Sequence, residues 1–148
     1  MKQTFAGTHL WILSAGVLIG LAVASFAPRV GAALSGPTEH KGLDVGTLAE
    51  LSEDTMRATI GLEGYTLRMR AVGIAPGGQI AQHSHADRPG IVTVVRGEWV
   101  EGRPTGERTF TAEGYGTFPE DEDTVHWVHN RTDAPSTALV CDIAAVQE

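Results

Sequence analysis

From Tyr65 to the end, the chain is broken every few residues by glycine, proline or an Asp/Asn-rich turn, and the runs between the breaks are too short and too β-branched for helices. Tyr65-Thr66-Leu67-Arg68-Met69-Arg70-Ala71 alternates strictly, with Tyr, Leu, Met and Ala on one face and Thr, Arg and Arg on the other. That is the period of a half-buried strand. Ala75-Pro76-Gly77-Gly78 reads as a turn, Gln79–His85 as extended, and Asp87–Gly90 as a second turn. Ile91–Val95 is a continuous β-branched run, which suits a strand covered on both faces. A tight turn at Arg96-Gly97-Glu98 and a hairpin closing through Gly102–Gly106 follow, with further strands expected at 108–112, 116–118, 124–128 and 137–143. Past residue 54 no 3.6-residue period lasts more than one or two turns. Many short strands joined by Gly and Pro turns imply an all-β fold, a small antiparallel sandwich or barrel, over residues 55–148.

The first 33 residues are a different material. Lys2 precedes an uncharged run from Leu10 to Ala27, and Pro28-Arg29 breaks it ahead of the small residues Gly31-Ala32-Ala33. This is the layout of a secretory signal cleaved after Ala32 or Ala33. The run is also at the lower length limit for crossing a bilayer, so an uncleaved N-terminal membrane anchor is the alternative. Either way the expected location is outside the cytoplasm, periplasmic or extracellular. Residues 34–54 read as a linker and lead-in, with Leu48–Leu51 open between a helical turn and an edge strand.

Composition narrows the function. The 148 residues carry a net charge of −7 with no basic stripe, which argues against nucleic acid as a partner. A single cysteine, Cys141, allows no internal disulfide and lies in register with Leu139 and Ile143, as a small buried apolar residue would. Glu120-Asp121-Glu122-Asp123 reads as a solvated turn, with a weak cation site or a lid as the alternative.

Six histidines are present, and His9 and His40 fall in the leader and the linker. His83 and His85 are two apart, so a strand places both imidazoles on one face, where they can share a metal ion. A third ligand has to come from elsewhere. His126 alternates with Val125 and Trp127 within a strand-like run and is favoured over His129, which stands at the strand end before a turn. Gln79 is an additional candidate by its parity with the pair. Trp99 and Trp127 are expected to pack the fold, and Tyr65 and Tyr115 to be structural. Arg68 and Arg70 are expected to face solvent or form salt bridges, with contact to a substrate carboxylate as the alternative.

These residues resemble the two motifs of the cupin superfamily. The first is Gly, five residues, His-x-His, three or four residues, Glu, six residues, Gly. Here Gly77, His83-Ser84-His85 and Gly97 keep that spacing, but Gly90 stands where Glu is expected. The second motif is matched by Gly114, Pro119, His126 and Asn130, with altered spacing around Pro119 and acidic residues in place of a glycine. The resemblance implies a small jelly-roll-like β-barrel, often a homodimer, with a divalent metal (Fe, Mn, Ni, Cu or Zn) on His83, His85 and His126 and a small-molecule ligand or substrate. The implied activity is that of a metal-dependent dioxygenase, isomerase or lyase. A non-catalytic module that binds or senses a metal or small ligand is the alternative, and a metal-free structural barrel a third reading.

Overall fold

A computed structural model describes residues 35–114 and 116–146. The leader with its Leu10–Ala27 run, and Tyr115, lie outside the described residues. Among those described, no helix is long and apolar enough to cross a membrane.

The elements are β1 (Lys41–Leu51), α1 (Glu53–Ile60), β2 (Tyr65–Ser84), β3 (Gly90–Arg96), β4 (Glu98–Arg103), β5 (Gly106–Thr111), β6 (Thr117–Glu120), β7 (Val125–His129) and β8 (Ser136–Ala145). All pairings are antiparallel, in the order β5-β4-β7-β2-β8-β3-β6 with β1 added to β2. The sheet curls into a nearly closed antiparallel barrel, the one of the two all-β architectures left open by the strand pattern that the motif resemblance implies. Its core is built from alternate residues facing inward, among them Ile74, Val92, Val94, Trp99, Phe118 and Val128. Closure of a sheet on itself needs no disulfide, and Cys141 is free.

Several expectations are corrected. The supposed linker contains β1, which pairs along β2 from Leu43↔Ile74 to Leu51↔Leu67, and Gln82 N–H donates to Pro37 O at 2.9 Å ahead of it. The stretch showed no apolar period because almost all of its residues are exposed. The residues after it form helix α1. Ser52 caps its start by accepting from Thr55 N–H, Gly61 ends it with φ 71°, and Met56 is buried. Two turns are too short to leave a legible period.

The expected turn at Ala75–Gly78 does not reverse the chain. β2 runs through it, pairing with β8 up to Ile74 and with β7 from Gln79, so the Gly/Pro signal marks the corner at which one strand changes partners. The alternation at Tyr65–Ala71 is correct, but its faces are exchanged. Arg70, Val72 and Ile74 look inward, and the Tyr65, Leu67 and Met69 face is the half-covered outside. Cys141, cross-strand from Met69, is likewise half-buried rather than in the core. Nor is β3 covered on both sides: Val92 and Val94 are buried, while Ile91 and Val95 are 55% and 45% exposed.

Candidate metal centre

β2 and β7 pair with His83 directly opposite His126, and His85 lies just beyond the end of β2. The three rings meet inside the barrel, with His85 and His126 2% and 1% exposed and His83 half-buried. His85 Nε2 is 2.9 Å from His83 Nε2 and 3.1 Å from His126 Nε2. Each opposite ring nitrogen is held by an acceptor outside the cluster. His83 Nδ1 lies 2.8 Å from Ala81 O, His85 Nδ1 3.0 Å from Arg88 O, and His126 Nδ1 2.8 Å from a Glu101 carboxylate oxygen. These bonds place each proton on Nδ1 and turn the Nε2 lone pairs toward one another. Burial, only partly offset by the backbone carbonyls, pushes both His83 and His85 down to about 4, so both rings are neutral at pH 7.

Two carboxylates lie against this cluster; Glu101 did not stand out in the sequence, and Glu120 did so only as part of the acidic run. Glu101 is fully buried on β4 and accepts from His126, Arg103 and Arg108. Burial alone would raise its pKa, but those three donors outweigh it and hold the carboxyl down at about 2. The alternation Trp99-x-Glu101 from a buried tryptophan was the available signal. Glu120 is a correction to the solvated-turn reading. It ends β6 at 5% exposure, with burial pushing its carboxyl up, and only Asp121, Glu122 and Asp123 project from the turn.

Gln79 is not part of the site. Its side chain donates to Glu39 O at 2.9 Å. Between Ile80↔Val128 and His83↔His126 β2 spends three residues against two of β7. That bulge inverts the parity on which the Gln79 reading rested. His129 meets the Trp127 ring edge to face and is not among the converging histidines. His40, set aside as a linker residue, lies at the cavity wall and accepts from Ala81 N–H at 3.1 Å.

A cavity of about 290 Å³ opens beside the histidines. Leu43, Val72, Trp99 and Val140 make its apolar wall, and Arg70 and Arg88 its cationic side. Arg68 and Arg70 do form salt bridges, both to the buried Asp142, at 3.1 and 2.6 Å. Arg70 Nε is nevertheless buried without a partner.

No known protein family matches the sequence, and neither does any curated protein. Solved structures do resemble it. The Cupin_2 domain of an XRE family transcriptional regulator from Enterobacter cloacae is 16% identical, with a TM-score of 0.53 over 72% of this chain and 100% of that one. A cupin domain from Bordetella pertussis Tohama I is 17% identical (TM-score 0.51, covering 73% and 99%). A cupin 2 conserved barrel domain protein from Salinispora arenicola is 18% identical (TM-score 0.51, covering 68% and 74%). At these identities the likeness establishes the architecture and leaves the chemistry to the residues. With its antiparallel barrel and its histidines converging from β2 and β7, this chain has the cupin fold.

Proposed function

We propose that the protein binds a divalent first-row transition metal on His83, His85 and His126 and admits a small anionic molecule to the adjoining cavity. One observation carries the reading: three imidazoles of the barrel interior turn their Nε2 atoms toward one another while their Nδ1 atoms are engaged elsewhere. Lone pairs this close repel one another without a cation among them. Nitrogens at right angles around an ion, each 2.0–2.1 Å from it, lie about 2.9 Å apart, and the separations here are of that size. When bound, the ion supplies Lewis acidity and open positions for a substrate oxygen or dioxygen.

The chain's own residues do the rest. The apolar wall excludes water and takes the carbon body of a ligand, and the size of the cavity restricts that ligand to a small one. Arg70 and Arg88 present charge to a carboxylate, and Arg70 Nε has a free donor for it. The reaction is read as dioxygen-dependent oxidation, or isomerisation or elimination. A module that holds the same ligand without turnover is the alternative, and oxygen uptake or substrate loss with Fe(II) loaded separates the two. The Leu10–Ala27 run supports an exported or membrane-anchored location, and the exposed Leu48 and Leu51 of β1 support a homodimer.

The test is metal content per chain in untagged protein prepared without chelator, beside His83→Ala and His126→Ala. About one equivalent, lost in both variants, is expected. Folded wild type that takes up no metal on reconstitution removes the proposal.

A further inference from the structure

Gly90 stands where the family pattern has a ligating carboxylate, and the structure gives the glycine a reason. No left-handed backbone requires it. Space does. A Cβ there would lie 3.0 Å from Cys141 O, 3.2 Å from Asp142 Cβ and 3.1 Å from Glu120 Oε2. Glu120 is the direct cross-strand partner of Gly90 in the β3–β6 pair. Its carboxylate therefore enters the barrel across the space that any side chain at residue 90 would fill.

Once there, the carboxylate has no conventional partner. Oε1 is 3.4 Å from His126 Nε2, and Oε2 is 3.3 Å from His85 Nδ1. The His85 Nδ1 proton is committed to Arg88 O, and Oε2 is buried without any hydrogen bond. The His126 Nδ1 proton is committed to Glu101, so Oε1 faces a lone pair and not a donor. With Glu120 ionised, two acceptors at this range need a cation between them. Two donors on one ion, each about 2.1 Å from it and about 110° apart, are themselves about 3.4 Å apart.

We propose that Glu120 is the fourth ligand of the metal centre, supplied from β6 into the space left open by Gly90 on β3. The inference rests on the three-histidine reading and goes beyond it. The carboxylate returns one negative charge to a centre that would otherwise be held by neutral ligands alone. It also adds an oxygen donor, which favours Mn(II) and Fe(II) relative to a purely imidazole site.

Co(II) is the probe. Chelated full-length protein is titrated with Co(II), and both affinity and the visible absorption of the bound ion are recorded for wild type, Glu120→Gln and the swap Gly90→Glu/Glu120→Gly. Wild type is expected to bind one equivalent. Glu120→Gln keeps the shape and loses the charge; its affinity is expected to fall tenfold or more and its absorption to change. The swap returns the carboxylate from β3 and is expected to recover both, since removing Glu120 clears one of the three contacts at residue 90. Unchanged affinity and absorption in Glu120→Gln overturn the assignment while leaving the histidine centre intact. A folded swap that recovers nothing also overturns it, because the carboxylate's effect is then not that of a ligand. Should Glu120→Gln fail to fold, the swap against wild type decides. Wild type that binds no Co(II) at all removes the underlying centre instead.

Discussion

At the scale of single residues, the barrel depends on what is missing at Gly90, Gly36 and Gly102 as much as on what is present. Trp127 passes between two glycines. A Cβ on Gly102 would meet its ring at 2.1 Å, and one on Gly36 would meet it at 2.0 Å. Gly102 lies directly opposite Trp127 in the β4–β7 pair, and the ring is buried there with its Nε1 unpartnered. Gly102→Ala therefore forces either the ring or the strand pair to move. The expected loss is about 1–3 kcal/mol, the usual range for overpacking, read as a lower urea midpoint with altered Trp fluorescence. An unchanged midpoint would mean that the ring relaxes freely. The sequence read this glycine only as part of a hairpin turn, since nothing in it foretells which ring crosses which backbone.

At the scale of elements, the corner of β2 is held by one side chain. Asn130 is completely buried past the end of β7, and its Nδ2 donates to Ile74 O, Ala75 O and Ala134 O. Its Oδ1 accepts from Thr132 N–H and Oγ1. It thus satisfies backbone carbonyls where β2 leaves β8 and joins β7, the step that sets His83 opposite His126. Asn130→Ala leaves those groups unpaired. A single orphaned buried group costs about 1–3 kcal/mol, so destabilisation at the top of that range is expected, together with weaker metal uptake. Wild-type stability in this variant would remove the corner role. The sequence placed Asn130 at the end of a motif, but its partners in β2 lie 55 and 56 residues away along the chain.

At the scale of the whole molecule, burying several ionisable groups in one barrel links stability to pH. His83 and His85 are held near 4 in the folded chain, against 6.5 for an ordinary imidazole. Between those values the unfolded chain binds more protons, so the metal-free protein loses stability as pH falls from 6.5 toward 4. The raised Glu120 carboxyl acts in the opposite sense above 4.5. Urea midpoints of chelated protein should therefore fall across this window, and His83→Gln should flatten the fall. A flat wild-type profile contradicts the burial of these rings in their neutral form. The sequence by itself determined that the region from Tyr65 onward is built of strands, because the two-residue period and the turn residues are local. It also determined that His83 and His85 share a face, because a separation of two is a property of any strand. Tertiary structure alone decided which face became the interior, so that arginines look inward and part of the apolar alternation looks out. It also brought Glu101 and Glu120 to the histidines and took Gln79 away. The physical reason is that barrel closure and a single bulge set parity and neighbours across strands, and neither leaves a mark on the residues near it in sequence.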